Sequence, residues 1–354
     1  MKGGSGRPDG QDMPEGPAMP AGAATSGDLD PSPASVGAPL AQPIAWIGDP
    51  SQPAERGQWG RPDQLGLPLD DRGLTLADGL FETVLVEQGQ PRLLDAHLGR
   101  WHRSAALLGM EPPPIRQGLE PLIAATLERS QAGGRALDGA LRLNWSRGSA
   151  PGRGIDLPAE GEPPLPHRFW LQFTPLQPSF RPVTVWISQL ERRQATSLLS
   201  QCKTFAYGQA IQARREARSA GAEEALLLGT GGELCCGATA NLLVCRGGTW
   251  LTPPLASGCL PGVMRGRALE LGLVREATLD PGLLLQPADD SGHHPSKDSV
   301  KDSVSAALLL NSLGCRPIRA VNGQVLGPAD QAHGDPGWAS SLAESLWRSL
   351  LGTG

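Results

Sequence analysis

The segment CKTFAYGQAIQARREARSAGAEEALLL, which begins at Cys202, carries Lys203 four residues before Tyr207, the only tyrosine of the chain. A lysine amine with a depressed pKa is the nucleophile that bonds an aldehyde covalently. The competing reading is a solvated lysine at a helix start, where it would stand unfavourably near the positive end of the helix dipole. Other chemistries find less support. The six cysteines (Cys202, Cys235, Cys236, Cys245, Cys259, Cys315) lack paired CxxC spacing, so reduced thiols are expected. The six histidines complete no zinc set, and His293 and His294 fall in a polar stretch, 289–304, with a tandem KDSVKDSV that reads as a solvated loop insertion.

The elements that must position Lys203 follow from periodicity. PIAWIGD reads as a short strand, and LFETVLVEQGQPRLL alternates around Gly89 as a hairpin does. DAHLGRWHRSAALLGM repeats Leu98, Trp101, Ala105 and Leu108 at helical spacing, and LEPLIAATLERSQA is a second helix. GALRLNWSRG and RFWLQFTPL read as neighbouring strands, and QPSFRP as the boundary between two domains. VTVWISQ is the next strand, followed by a helix that starts at Lys203 and ends at Gly221. Two hairpins come next, EEALLLGTGGELCC and ANLLVCRGGTWLTPP, and LPGVMRGRALELGL then opens a helix at a Pro-Gly turn. The expectation is an α+β chain of two lobes, 43–177 and 182–352, behind a disordered tail, 1–42, that is rich in Gly, Pro, Ala and Ser.

Composition limits the partners. With 31 basic and 36 acidic residues the net charge is −5, and no basic block suggests nucleic acid or an anionic membrane. No secretory signal and no uncharged apolar run of about eighteen residues is present, so a soluble cytoplasmic protein acting on a small molecule is expected.

The motifs DDRGLTLADGLFETVLVEQGQPRLLDAHLGRWHRSAALLGM, LRLNWSRGSAPGRG, CKTFAYGQAIQARREARSAGAEEALLL, ATANLLV, LTPPLASGCLPGVMR and LLLNSLGCRPI stand in this order over about residues 43–325. The chain thereby resembles the class IV pyridoxal-phosphate aminotransferases, which include branched-chain and D-amino-acid aminotransferases and 4-amino-4-deoxychorismate lyase. The resemblance implies fold type IV, like that of D-amino-acid aminotransferase, with pyridoxal 5′-phosphate between the domains of a homodimer. It gives Lys203 the role of carrying the cofactor and Arg100, in HLGR, that of binding its phosphate. The amides of Val263 and Met264 would join Arg100, with Asn311 and Ser312 near the phosphate and Arg265 structural. Tyr207 would face the cofactor's phenolic oxygen. Arg147, in WSRGS, matches a position that captures a substrate carboxylate in several members, with a salt bridge inside the sheet as the alternative. Glu82 matches the family's FE at the substrate site, as lining or framework, and Asp78 and Gly79 read as turn residues.

One departure stands out. Five residues before the asparagine of the N-L-L motif, Asn241, the family has a glutamate that pairs with the cofactor's ring nitrogen, and here that residue is Cys236. Strand alternation puts Glu233 on the opposite face, so it is no substitute. VMR, NS and SRGS…GRG favour the lyase branch, releasing pyruvate and 4-aminobenzoate for folate synthesis. The alternatives are a branched-chain or D-amino-acid aminotransferase and, supported only by Cys236, a non-catalytic relic.

Overall fold

The computed structural model describes residues 41–131, 137–150, 154–285, 304–326 and 336–352. The expected tail to residue 40 and the KDSVKDSV stretch with His293 and His294 lie outside the described residues, save Val304.

Six strands form the first sheet: β1 (Ile44–Gly48), β2 (Gln58–Gly60), β3 (Gly79–Glu87), β4 (Gln90–Pro91), β5 (Gly139–Ser146) and β6 (Arg168–Pro175), in the order β2-β1-β6-β5-β3-β4 and antiparallel throughout. A short helix, α1 (Arg72–Thr75), precedes β3. The turn from β3 to β4 has positive φ at Gln88 (51°) and Gly89 (73°). That is the backbone a two-residue hairpin needs, which is why glycine stands there. Two helices cover the sheet, α2 (Leu94–Leu107) and α3 (Arg116–Ser130). On α2, Leu94, Leu98, Trp101 and Ala105 recur every three or four residues and enter one core with Trp46, Leu141, Leu143 and Phe169. A second buried stripe on the same helix is polar, His97, Arg100 and Ser104.

The second sheet has nine strands: β7 (Val183–Arg193), β8 (Glu224–Gly229), β9 (Leu234–Gly237), β10 (Asn241–Arg246), β11 (Thr249–Thr252), β12 (Arg275–Glu276), β13 (Val304–Asn311), β14 (Gly314–Val321) and β15 (Gln324–Val325). β9 pairs with both β8 and β10, so β10, β13, β14, β7, β8 and β9 close a ring whose seam is the pair Asn241–Cys236. Three further helices are α4 (Gly208–Ser219), α5 (Val263–Glu270) and α6 (Pro336–Leu351). The mixture of strands and helices is the α+β fold that the sequence patterns predict.

β7 and β8 are parallel, so the chain must cross over between them. The crossover carries Lys203. Contrary to expectation, Lys203 does not open the helix, which begins at Gly208 with Tyr207 as its N-cap. The residues before it run extended along β3: Phe81 N donates to Lys203 O (2.9 Å), Phe205 N donates to Gly79 O (3.0 Å), and Thr204 bridges Leu80. Non-local hydrogen bonds thus override the local helical tendency of this stretch.

The close approach depends on Gly79. A Cβ there would lie 2.1 Å from the Phe205 ring, and a side chain is far too crowded at that distance. Gly79→Ala should therefore displace Phe205 and destabilise the protein by about 1–3 kcal/mol, read as a lower melting temperature. Phe205→Leu in the same chain should recover part of that loss; an unchanged melting temperature for Gly79→Ala would show that the contact constrains nothing.

Candidate active site

Lys203 opens into a cavity of about 540 Å³. Its Nζ lies 3.2 Å from the Tyr207 hydroxyl and 4.4 Å from the centre of the Phe81 ring. The strands explain the floor. In the β3–β5 register Phe81 stands opposite Asn144 and Thr83 opposite Arg142, and side chains two apart share a face. Phe81, Thr83 and Arg142 all line the cavity. Arg142 was not singled out from the sequence. Its guanidinium carbon stacks 3.6 Å above the Phe81 ring and its Nε donates to Asn144 Oδ1 at 2.7 Å. Its terminal nitrogens meet no acceptor among the described residues, and burial lowers its pKa from the ordinary arginine value.

Parity sends Glu82, the neighbour of Phe81, to the other face of β3. It does not line the cavity; of the two roles expected of it, lining or framework, its place is that of framework. It is buried beneath α2, where Arg100 Nε and Nη2 donate to its two oxygens at 2.8 and 2.5 Å and His97 Nδ1 lies at 2.8 Å. Burial alone would raise its pKa, but Arg100, with His97, outweighs that and holds the carboxyl down to about 2. The pKa of His97 is lowered as well, but here burial is the cause, acting against the pull of Glu82. Its Nε2 reaches Ser312 Oγ at 3.3 Å.

Arg100 lines the cavity at one end, and its Nη1 donates to Pro261 O at 3.3 Å. That carbonyl directly precedes the N-cap of α5, Gly262. A Cβ on Gly262 would fall 2.0 Å from Asn241 Oδ1, so only glycine lets the strand end and the helix start meet. The amides of Val263 and Met264 form the first turn of α5, where helix N–H groups lack intrahelical partners, and both residues line the cavity beside Arg100. A helix start and a guanidinium at one place form an anion site. Asn311 and Ser312 line the same cavity, with Asn311 Nδ2 donating to Thr239 O at 3.3 Å.

Cys236 also faces the cavity, since paired residues of an antiparallel ladder share a face and its partner Asn241 does too. A hydrogen bond from the adjacent Cys235 pulls the Cys236 thiol below its ordinary pKa, with Arg193 acting in the same sense against burial, and Cys235 is pushed up. All six cysteines are reduced and buried.

Arg147 is not brought into the cavity. It is buried behind β5, its Nε on both oxygens of Asp78 (3.1 and 2.9 Å) and its terminal nitrogens on Gly109 O and Leu108 O (2.8 and 2.9 Å). Each of its three nitrogens is bonded to a protein acceptor outside the cavity, which makes it the salt bridge that stood as its alternative. Arg265 is structural, donating to Pro253 O at 2.8 Å and paired with Glu276. Among the described residues no cluster of His, Cys, Asp and Glu could hold a metal ion, and no helix is long and apolar enough to cross a membrane.

An amine nucleophile, an anion site and an unpaired guanidinium in one cavity suit a phosphorylated aldehyde and an anionic second ligand. Sequence comparison agrees. Residues 79–321 match the family Amino-transferase class IV. The bifunctional aminodeoxychorismate lyase / D-amino acid transaminase of Mycobacterium tuberculosis is 38% identical over 92 residues, which cover 25% of this chain and 31% of that protein. The D-alanine aminotransferase of Bacillus licheniformis is 23% identical over 223 residues, 59% of this chain and 70% of that one. The pyridoxal-phosphate-bound structure of a hypothetical aminotransferase from Mycobacterium tuberculosis shares the fold, with a TM-score of 0.64 at 19% identity over 87% of this chain and 98% of that one. The chain therefore belongs to the class IV aminotransferases, enzymes that depend on pyridoxal phosphate.

Proposed function

We propose that the chain is a 4-amino-4-deoxychorismate lyase, which releases pyruvate and leaves 4-aminobenzoate, with its site closed by the two lobes 43–177 and 182–352. The residues present fit the cofactor: Lys203 Nζ for its aldehyde, and Arg100 with the start of α5 for its phosphate. Bound there, pyridoxal phosphate withdraws electrons from the carbon that bears the substrate amine. Lys203 Nζ, steered by the Tyr207 hydroxyl at 3.2 Å, is then the base that takes the proton from that carbon.

The observation that carries the lyase reading is the charge of the cavity. Arg100, Arg142, Arg193 and Lys203 line it, with no carboxylate among the described lining residues, and Cys236 stands where the family has a glutamate. Four cations and no acid suit a phosphate together with a dicarboxylate substrate better than a phosphate with a simple amino acid. Arg142 takes over the carboxylate-binding role expected of Arg147, because its terminal nitrogens are open to the cavity. A thiol is a weak hydrogen-bond acceptor, and the neighbouring Arg193 further disfavours a positive charge on the ring nitrogen. Amino-group transfer relies on that charge to hold electrons in the ring. Pyruvate release relies on it less, because the departing group leaves an aromatic ring behind. The relatives named as aminotransferases support the second reading, a branched-chain or D-amino-acid aminotransferase.

Incubation with 4-amino-4-deoxychorismate should yield pyruvate faster than the protein transfers an amino group from D-alanine or leucine; the reverse order would favour the second reading. Cys236→Glu should raise half-transamination with simple amino acids by about ten- to a hundredfold, the equivalent of a charge-assisted bond worth roughly 1.5–3 kcal/mol, while pyruvate release stays within a few-fold. Unchanged amino-group transfer would refute this account of Cys236. Lys203→Ala should give a colourless protein without turnover. Arg100→Lys keeps a counter-charge for Glu82 but loses the forked contact, so about ten- to a hundredfold more cofactor should be needed for saturation; an equal dissociation constant in an absorbance titration would remove Arg100 from the phosphate site.

A further inference from the structure

A buried polar chain joins two points of the cavity wall: Ser312 Oγ to His97 Nε2 (3.3 Å), His97 Nδ1 to Glu82 Oε2 (2.8 Å), and Glu82 to Arg100 Nε and Nη2 (2.8 and 2.5 Å). Its ends, Ser312 and Arg100, line the cavity; its middle members do not. Glu82 as a carboxylate can only accept, so the Nδ1 of His97 carries a proton. The state of Nε2 then fixes the hydroxyl of Ser312. In the neutral ring Nε2 is an acceptor, and the single hydroxyl proton of Ser312 is spent on it. In the imidazolium Nε2 donates to Ser312 Oγ, and the hydroxyl proton is free for an anion in the cavity.

We propose that His97 is a positioning residue for the phosphate: when a phosphate dianion enters beside Arg100, one proton passes from solvent to His97 Nε2, and the Ser312 hydroxyl turns from His97 to the anion. No bond between heavy atoms changes; the buffer loses the proton that His97 gains. The inference rests on the assignment of the Arg100 end of the cavity to phosphate.

The electrostatics supply the switch. Three charged groups act on His97 among the described residues: Glu82 on β3 favours its proton, while Arg100 on its own helix and Lys203 on the crossover oppose it. Burial opposes it most, so without an anion the ring is neutral above the ordinary histidine range. A dianion beside Arg100 and Ser312 offsets both cations and reverses the balance. As pH falls below the depressed value for His97, the ring is already protonated and proton uptake should vanish.

The test uses the full chain without cofactor and pyridoxamine 5′-phosphate, which has no aldehyde to react with Lys203, at about pH 8, where a phosphate monoester is a dianion. Histidine-labelled protein should show the Nε2 nitrogen of His97 change from the unprotonated to the imidazolium signal as the ligand binds. Calorimetry in buffers of different ionisation enthalpy should show about one proton taken up per ligand. Pyridoxamine without phosphate should produce neither change. His97→Gln should abolish the uptake, and Ser312→Ala should weaken binding of the phosphorylated ligand by about tenfold. Binding that leaves His97 neutral, or an imidazolium already present before ligand at this pH, overturns the proposal alone. Failure of pyridoxamine 5′-phosphate to bind at all overturns the phosphate assignment beneath it, and the proposal with it.

Discussion

Everything that faces the anion end of the cavity depends on one buried carboxylate. Glu82 is desolvated beneath α2, a position that favours the neutral acid, yet Arg100 and His97 keep it charged. Removing Arg100 would leave the buried charge of Glu82 uncompensated, at a cost of about 3–5 kcal/mol. Because Glu82 fixes the plane of the Arg100 guanidinium, Nη1 is aimed at Pro261 O, and the start of α5 is drawn to the same place. The carboxylate thus joins a strand of the first sheet to a helix and, through that helix, to the second sheet. It orients cations without itself being offered to the ligand.

The lysine is positioned by a different device. A parallel pair of strands forces a crossover, and the crossover is held by backbone hydrogen bonds to the first sheet. Lys203 therefore stands on extended backbone pinned to β3, with Phe81 beneath its amine and Tyr207 beside it. A nucleophile on a freely rotating helix end would lose orientation, and a fixed geometry is what general base chemistry requires. The bare backbone of Gly79 is the structural condition for this docking, since Phe205 fills the space a side chain would take.

How much of this was legible in the sequence differs by the kind of interaction. The stripe of Leu98, Trp101 and Ala105, the Gly89 hairpin and the Pro-Gly start of α5 are local signals, and the structure matches them. The helix expected to start at Lys203 starts at Gly208, because the bonds that extend residues 203–205 come from β3, more than a hundred positions away in the chain. The motif match points to Arg147 as a carboxylate binder and not to Arg142, although the two differ by an odd number of positions in a strand and its continuation. Opposite faces follow from that count alone. The same parity separates Phe81, which lines the cavity, from Glu82, which cannot. What the count does not supply is which face is the cavity, and only the pairing of β3 with the lysine segment decides that.

The protein is acidic overall, with a net charge of −5, yet the described wall of its cavity is lined by arginine and lysine without an acid. Such an arrangement concentrates potential in a low-dielectric cleft and is unfavourable until anions enter. Glu82 neutralises Arg100 from behind, and Arg142 has no equivalent among the described residues. Its guanidinium is stacked on Phe81 and tied at Nε to Asn144, which fixes its direction while leaving its charge unspent. Burial makes that charge costly, and only a ligand's negative group can offset the cost. The thiol of Cys236 extends the same logic to the other wall. Where a carboxylate would add a negative charge and hold a proton on a ring nitrogen, a weak acceptor does neither, so the cavity keeps its full positive potential for the groups that a substrate itself brings.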